Sequence, residues 1–279
     1  MNKYLVIGNP IEHSLSPLLH NYWFKKHGIL DSTYEKKKVD KKDLKKIIEQ
    51  VKNGEIKGLN ITVPFKREIF DYLDASSPEV QLTKSVNTIL KEGDKVVGYN
   101  TDQGGFEISL QKKNWKLENK KILIFGAGGV TPSILSTFIK AKRDNKIYLC
   151  NRTRDKAKEL KEFWDKKVNL LGMNKNTIEI IDWSKKIELC DLVINTTSVG
   201  LSKHENINFD FSDYDNNKDT LFYDLIYNPK ETNFLKEAKL RGNRTMNGKL
   251  MFLGQAQLAF KLWTGKSPEI NEEVIDLLD

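Results

Sequence analysis

Lys66 and Asp102 are the residues of this sequence whose types suit proton transfer at a substrate. Lys66 ends the segment NITVPFK, in which Pro64 stops a short apolar run, and Asp102 ends the segment GYNTD. A lysine whose direction is fixed by a neighbouring carboxylate can give a proton to an oxygen atom or take one from it. The histidines lie in predicted helices and loops, where packing or solvation is the more common role. The sequence therefore predicts Lys66 and Asp102 as a catalytic pair.

Uncharged polar side chains are gathered in three segments of the N-terminal half. Each has an ordinary structural explanation by itself, since Ser16 could cap a helix that begins at Pro17 and Asn87 could serve a turn. Together they favour a pocket of hydrogen-bond donors and acceptors suited to a polyhydroxylated anion. The candidate substrate-binding residues from these segments are Ser14, Ser16, Asn60, Thr62 and Asn87.

A glycine-rich turn lies in the middle of the chain, in the segment KILIFGAGGV. It follows an apolar run that reads as a strand and precedes a predicted helix. Gly126 can make the tight turn, and Gly128 lets the backbone approach a pyrophosphate at the helix N-terminus. A plain strand-to-helix turn is the alternative, but the surrounding strand and helix favour a dinucleotide site.

The residues after the next predicted strand indicate which dinucleotide binds. An NAD site places an acidic residue there, about 20 residues past the glycines, to bind the ribose hydroxyls. Here Asn151 is followed by Arg152, and no carboxylate precedes Asp155. A guanidinium group can pair with a 2′-phosphate through two hydrogen bonds. The sequence therefore predicts NADP, and with it a ketone reduction in which Lys66 supplies the proton. A charged helix start capped by Thr153 is the structural alternative.

Composition limits the classes of partner. The chain has 279 residues and a formal net charge of +8, but its lysines alternate with acidic residues in predicted helices, which is typical of a solvated surface. No basic block interleaved with aromatic residues suggests a nucleic-acid partner, and an anionic small molecule fits the charge. Neither the N-terminus nor any apolar run suggests a signal peptide or membrane span. Cys150 and Cys190 show no metal or disulfide spacing, so we expect buried free thiols, no metal and a cytoplasmic location.

Strands and helices alternate along the chain, which predicts an α/β fold with mostly parallel sheets. The pattern restarts at residue 121, and this restart predicts two domains. An N-terminal substrate domain would span residues 1–102 and be completed by C-terminal helices within 242–279. A Rossmann-type NADP-binding domain would span residues 103–241. The sequence leaves both a monomer and a homodimer open.

Nine motifs, in order along nearly the whole chain, resemble those of the shikimate dehydrogenase family. They are GNPIEHSLSPLLHN, NITVPFK, SVNT, GYNTDQGG, GAGG, NRT, INTTSVG, YNPKET and MFLGQAQLAF. The resemblance implies reduction of 3-dehydroshikimate to shikimate with NADPH, a step of chorismate and aromatic amino-acid biosynthesis. It also implies two α/β domains, in agreement with the pattern of strands and helices.

The resemblance also implies roles for individual positions. Lys66 and Asp102 would be the catalytic pair, and Asp102 would also contact ring hydroxyls of the substrate. The substrate would be bound by Ser14, Ser16, Asn60, Thr62, Asn87, Tyr227 and Gln255. The cofactor would be bound by Gly126, Ala127, Gly128, Gly129, Asn151, Arg152, Thr153, Lys156 and Thr196.

Three positions depart from the family pattern without removing a reacting group. Thr131 stands after the glycines where a small residue is usual, Lys156 stands where arginine is frequent, and Leu250 stands where glycine is common. One rival is the related quinate/shikimate dehydrogenase, which accepts NAD, although its cofactor loop would carry an acidic residue. Another is a non-catalytic sensor of NADP and a metabolite, but the presence of both Lys66 and Asp102 argues against it.

Overall fold

The computed structural model describes residues 1–139, 144–170, 178–183, 187–202 and 205–278. The chain divides into two compact units. Unit 1 comprises Met1–Ser109 and Phe252–Asp279, and unit 2 comprises Leu110–Met251. The functional domain boundaries at 102/103 and 241/242 stay a prediction from the sequence.

Among the described residues, unit 1 contains the first six strands and all or part of six α-helices. The strands are β1 (Asn2–Gly8), β2 (Ser32–Lys38), β3 (Gly58–Ile61), β4 (Ala75–Ser76), β5 (Thr88–Glu92) and β6 (Lys95–Tyr99). The first four helices are α1 (Ser16–Lys26), α2 (Leu44–Lys52), α3 (Pro78–Thr83) and α4 (Asp102–Gln111), of which the last runs on into unit 2. Near the C-terminus, α8 (Lys249–Thr264) begins in unit 2 and runs into unit 1, and α9 (Glu272–Asp276) follows it.

The sheet of unit 1 has the strand order β2-β1-β3-β5-β6-β4. The pairs β1–β2, β1–β3 and β4–β6 are parallel, whereas β3–β5 and β5–β6 are antiparallel. Strands β5 and β6 form an antiparallel hairpin joined by residues 93 and 94. Helix α2 packs one apolar side against this sheet through Leu44, Ile47, Ile48 and Val51, whose spacing places them on one helical face.

A group of aromatic side chains joins α1, β2 and α8 within unit 1. The His20 ring stacks on Tyr34 with 4.4 Å between ring centroids and meets Trp23 edge-on at 5.6 Å. Trp23 also packs edge-on against Phe260 of α8. His20, Trp23, Tyr34 and Phe260 are all almost fully buried, so this group attaches the C-terminal helix to the N-terminal part of the unit.

Unit 2 has a six-stranded sheet in which every strand pair is parallel. Its strands are β7 (Lys121–Phe125), β8 (Lys146–Cys150), β9 (Ile178–Ile180), β10 (Leu192–Asn195), β11 (Leu221–Asp224) and β12 (Arg244–Met246). Its helices are α5 (Thr131–Ile139), α6 (Arg154–Leu170) and α7 (Asn233–Leu240). The order is β12-β11-β10-β7-β8-β9, which reverses direction beside β7 as in doubly wound dinucleotide-binding folds.

One local expectation from the sequence is wrong. Ser16 is the first residue of α1, and the capping position is Leu15, whose side chain makes no capping hydrogen bond. The hydroxyl of Ser16 instead accepts a hydrogen bond from Ser14 at 3.2 Å. Strand β3 ends at Ile61, so Thr62 belongs to the following loop rather than to the strand.

Neither a membrane span nor a metal cluster is found in the part of the chain that the structure describes. No helix there is both long enough and apolar enough to cross a bilayer. No three His, Cys, Asp or Glu side chains are grouped there so that they could hold a metal ion. Cys150 and Cys190 are buried free thiols, and burial raises the pKa of both to about 12.

Candidate active site

Lys66 and Asp102 meet in the interior of unit 1. The Nζ atom of Lys66 lies 2.5 Å from Oδ2 of Asp102, and their side chains are only 11% and 5% exposed. A charge-assisted hydrogen bond of this kind is strong because little water competes with it. The pair therefore holds an ammonium and a carboxylate group in one fixed direction.

Local structure fixes the backbone on both sides of this pair. The carbonyl oxygen of Lys66 accepts a hydrogen bond from the backbone nitrogen of Val86 at 2.8 Å, which ties the loop after β3 to the segment before β5. Asp102 is the first residue of α4, and Oδ1 of Asn100 accepts from its backbone nitrogen at 3.1 Å. Asn100 thus satisfies a free N–H group at the start of α4 and positions Asp102.

Asn87 joins the Lys66–Asp102 pair to a residue near the C-terminus. Its Nδ2 donates to Oδ1 of Asp102 at 3.0 Å and lies 3.4 Å from Oε1 of Gln255. Because Lys66 binds the other carboxylate oxygen, both oxygens of Asp102 have a donor. The structure therefore brings together four of the residues predicted from separate segments.

Asn60 is attached to the same group from β3. Its Nδ2 donates to the carbonyl oxygen of Asn87 at 2.9 Å and to Oγ1 of Thr88 at 3.0 Å. Asn60 is only 7% exposed, so its amide is a buried part of this polar group.

Ser14 and Thr62 lie in the loops that follow two neighbouring parallel strands, β1 and β3, and Ser16 begins α1 directly after the first of these loops. The backbone nitrogen of Asn9, after β1, donates to the carbonyl oxygen of Val63, after β3, at 3.0 Å. The two loops therefore leave the sheet at the same edge. Among the described contacts, Ser14 and Ser16 bind each other rather than the group around Asp102.

Three further buried residues belong to this group. Thr101 donates its backbone nitrogen to Oδ1 of Asn87 at 2.7 Å, Thr88 lies beside it, and the Tyr34 hydroxyl donates to Oδ1 of Asn60 at 2.6 Å. Thr101 is visible in the motif GYNTDQGG. Thr88 likewise ends the motif SVNT, whereas Tyr34 lies in a strand whose residue pattern only predicts packing.

The glycine-rich turn of unit 2 combines one crowded glycine with one open glycine. Gly126 has a φ of +113°, and a Cβ atom there would lie 2.4 Å from Oγ1 of Thr196. Gly128 is exposed, and a Cβ atom there would have no described heavy atom within 4 Å. The backbone before α5 is thus open to a ligand at Gly128, which fits the approach of a pyrophosphate. Ala127 and Gly129 flank this position.

Thr131, the departure next to the glycines, is fully buried at the first position of α5. Its hydroxyl lies 2.9 Å from that of Thr196, which also donates to the carbonyl oxygen of Phe125 at 2.8 Å. The threonine therefore joins the start of α5 to the ends of β7 and β10. Thr196 has its hydroxyl engaged in this junction.

The loop after β8 supports the glycine turn and presents basic residues. Asn151 Oδ1 accepts from the backbone nitrogen of Ala127 at 3.1 Å, and its Nδ2 donates to the carbonyl oxygen of Thr153 at 2.7 Å. Arg152 and Lys156 are exposed and have no ion pair among the described residues, so both could bind a phosphate. Arg154, by contrast, forms an ion pair with Asp182.

The loops after β10 and β11 are tied together by Asp224, a buried carboxyl group that sequence reasoning did not select. Its Oδ1 accepts from Asn195 and from the backbone nitrogen of Ile226, both at 3.0 Å, and Oδ2 accepts from Thr232 at 2.6 Å. Burial raises the pKa of Asp224 to about 6, although these hydrogen bonds act in the opposite direction. Tyr227 follows in the same loop and is partly buried.

Two family models match this chain, one before and one after Asp102, the residue at which α4 begins. Residues 6–89 match the shikimate dehydrogenase substrate binding domain, and residues 107–234 match shikimate / quinate 5-dehydrogenase. A shikimate dehydrogenase (NADP(+)) of Pelagibacter ubique is 49% identical and aligned over 99% of this chain and 98% of its own length.

Solved structures of shikimate dehydrogenases are also similar to this chain. A shikimate dehydrogenase in complex with NADP⁺ has a TM-score of 0.90 and 35% identity, covering 100% of this chain and 94% of the other. The shikimate 5-dehydrogenase of Thermus thermophilus in complex with NADP(H) and shikimate has a TM-score of 0.83 and 29% identity, covering 100% and 98%.

Proposed function

Because the chain belongs to the shikimate dehydrogenase family, we propose that it is an NADP-dependent oxidoreductase that interconverts 3-dehydroshikimate and shikimate. This reaction is a step in the synthesis of chorismate and the aromatic amino acids. The observation that carries the chemical part of the proposal is the contact between Lys66 and Asp102 inside the polar group of unit 1. The fold of unit 2 and its basic loop after β8 support NADP as the cofactor.

Lys66 is the residue that transfers the proton. NADPH, when bound, supplies the hydride. Lys66 Nζ gives a proton to the carbonyl oxygen as that oxygen becomes a hydroxyl group, and in the oxidation of shikimate the same nitrogen accepts the proton. Asp102 holds this nitrogen in position through Oδ2, so it sets the direction from which the proton comes.

The polar residues of unit 1 would hold the substrate. Ser14, Ser16 and Thr62 offer hydroxyl groups to the substrate carboxylate from the shared edge of the sheet. The side-chain amides of Asn87 and Gln255, together with Asp102, would bind its ring hydroxyls, and Asn60 would line the same pocket. Tyr227 keeps the substrate-binding role that the resemblance implies.

The cofactor would be held by the turn after β7 and the loop after β8. The open backbone from Gly126 to Gly129 would take the pyrophosphate at the start of α5. Arg152 and Lys156 would bind the 2′-phosphate of the adenosine ribose, with Asn151 and Thr153 shaping the loop and Thr196 bordering the turn. A guanidinium group binds such a phosphate with better geometry than an ammonium group does, so Arg152 should be the main determinant.

A four-way assay tests this function. Absorbance of the reduced nicotinamide is followed with shikimate or quinate as substrate and with NADP or NAD as oxidant. We expect the highest kcat/KM with shikimate and NADP. The NAD-using quinate/shikimate dehydrogenase is the alternative, and the NADP⁺ named for the relatives does not support it. Faster turnover with NAD would reject the proposed cofactor, and no turnover of shikimate would reject the proposed reaction.

The proposal includes small molecules as the partners and a cytoplasmic location, without a nucleic-acid or membrane partner. Two buried free cysteines fit a reducing compartment. Light scattering during size-exclusion chromatography distinguishes a monomer from a homodimer.

A further inference from the structure

Tyr34 and Thr88 lie behind the candidate substrate pocket and have no role in the reaction described above. They are 2% and 0% exposed, and neither touches Lys66 or Asp102 in the described contacts. We propose that they are positioning residues, which hold the amide groups of Asn60 and Asn87 in the orientation that Asp102 needs. This inference rests on the proposed function and extends it by two residues.

The hydroxyl group of Tyr34 fixes the orientation of the Asn60 amide. The Tyr34 hydroxyl donates to Oδ1 of Asn60 at 2.6 Å, so this atom is an acceptor. The amide nitrogen of Asn60 then faces the opposite way and donates to the Asn87 carbonyl oxygen and to Oγ1 of Thr88. A phenol placed at Oδ1 therefore selects one of the two amide orientations.

The orientation of the Asn60 amide in turn affects that of the Asn87 amide, through the hydroxyl group of Thr88. Because Thr88 Oγ1 already accepts from Asn60, its own proton is free to point towards Oδ1 of Asn87, 3.2 Å away. Oδ1 of Asn87 also accepts from the backbone nitrogen of Thr101 at 2.7 Å. Both donors oblige Asn87 to turn its nitrogen towards Asp102.

The hydrogen bonds from Tyr34 through Asn60 and Thr88 to Asn87 form a relay. This relay ends at the carboxylate of Asp102. Nδ2 of Asn87 donates to Oδ1 of Asp102 at 3.0 Å, while Lys66 binds Oδ2. If the Asn87 amide were reversed, two oxygen atoms would face each other inside the protein, which is unfavourable because each needs a donor. Every donor from Tyr34 to Asn87 thus points towards Asp102, and each bond supports the next.

The relay predicts that distant side chains affect the chemical step. Tyr34→Phe removes only the hydroxyl and leaves Oδ1 of Asn60 without its donor. Thr88→Val removes the hydroxyl between the two amides, whereas Thr88→Ser retains it. We expect the single-turnover rate of shikimate oxidation to fall on the order of tenfold in Tyr34→Phe and Thr88→Val, because a buried acceptor loses its partner. Thr88→Ser should stay within about twofold of the parent.

A matched control separates positioning from packing. His20 stacks on the same Tyr34 ring, and both of its ring nitrogens lack a hydrogen-bond partner among the described residues. His20→Phe therefore alters packing against Tyr34 without breaking a hydrogen bond of the relay. We expect its single-turnover rate to remain within about twofold of the parent even if its melting temperature changes.

The rate of the double variant, compared with the rates of the two single variants, distinguishes a positioning role from a merely structural one. If Tyr34 and Thr88 act through one chain of bonds, the double variant Tyr34→Phe/Thr88→Val should lose about tenfold, as each single variant does, rather than about a hundredfold. The KM for NADP should not change in any of these variants, since the relay does not reach the residues proposed for the cofactor.

Two results would overturn the relay: parental rates in both Tyr34→Phe and Thr88→Val, or an equal loss of rate in His20→Phe. If Tyr34→Phe does not fold, the comparison of Thr88→Val with Thr88→Ser decides. If the parent does not oxidise shikimate, the proposed function fails independently, and NMR of the ligand-free chain tests the relay. The side-chain amide protons of Asn87 should then exchange faster in Tyr34→Phe than in His20→Phe, and equal exchange would reject it.

Discussion

Arg154, the first residue of α6, forms an ion pair with Asp182, whereas Arg152, two residues earlier in the loop after β8, has no ion pair among the described residues. Both arginines belong to the segment NRTR and look equally suited to a phosphate in the sequence. Asp182 follows β9, the strand next to β8 in the sheet, and there it neutralises Arg154. The tertiary structure thus makes Arg152 the guanidinium available to a phosphate.

This difference predicts unequal effects of two similar substitutions. Arg152→Ala should raise the KM for NADP on the order of 10- to 100-fold, because it removes a charge-assisted contact with the 2′-phosphate. Arg154→Ala is the matched control and should change this KM by less than about threefold, since the paired guanidinium makes no such contact. The KM for NAD, which lacks the phosphate, should be unaffected by Arg152→Ala. An equal rise in both variants would refute the assignment.

Lys66→Ala should abolish most of the turnover. We expect kcat for shikimate oxidation to fall on the order of 10²- to 10⁴-fold, the usual contribution of a positioned acid–base group, with a smaller change in KM. The exposed Lys91→Ala serves as the control for loss of a positive charge, and its kinetics should match those of the parent. If kcat of Lys66→Ala stays within about tenfold of the parent, Lys66 does not transfer the proton.

The two glycines of the cofactor turn should respond differently to alanine. Gly126→Ala combines a left-handed φ with a contact at 2.4 Å, so it should lower the melting temperature by several degrees. Gly128→Ala should leave the melting temperature nearly unchanged, because the added methyl group meets no described atom within 4 Å. It should nevertheless raise the KM for NADP about tenfold, since the methyl group occupies the approach of the pyrophosphate.

Parental affinity for NADP in Gly128→Ala would place the pyrophosphate away from this turn. Isothermal titration of each variant with NADP⁺ separates weakened binding from a damaged fold, provided that circular dichroism is unchanged.

Asp224 should make the stability of the protein fall as pH rises through the weakly acidic range. Burial raises its pKa from the ordinary value of 3.8 to about 6, so the folded chain retains a proton that the unfolded chain has lost. Between these two values the stability decreases with pH, and above pH 6 the full cost of about 3 kcal/mol is present.

Asp224→Asn should remove this dependence, because an amide retains one acceptor oxygen and does not ionise. The unfolding free energies of variant and parent are compared by urea denaturation at pH 4 and pH 7, with the exposed Asp219→Asn as control. The difference should shift in favour of Asp224→Asn at pH 7. A difference that is the same at both pH values would show that the folded structure does not retain the proton.

The arrangement of strands and helices was accessible from the sequence because it depends on local patterns. Apolar runs ended by glycine or proline predict the strands, and their alternation with helices predicts the α/β class. Short elements escaped this reasoning: β4 has two residues, too few for a periodic signal. The supposed cap at Ser16 was wrong for a related reason, since its hydroxyl binds Ser14 instead of the helix end.

The sequence by itself predicted the candidate reactive groups and located the glycine turn, because residue type and nearby spacing carry that information. Only the tertiary structure decided which of these groups meet. Lys66 precedes the β5–β6 hairpin in the sequence, and Asp102 follows it. Asp182 pairs with Arg154 and not with Arg152. Tyr34 of β2 donates to Asn60 of β3, although β1 lies between these strands in the sheet. Such contacts join residues distant along the chain, and they depend on strand order and burial, which no local pattern encodes.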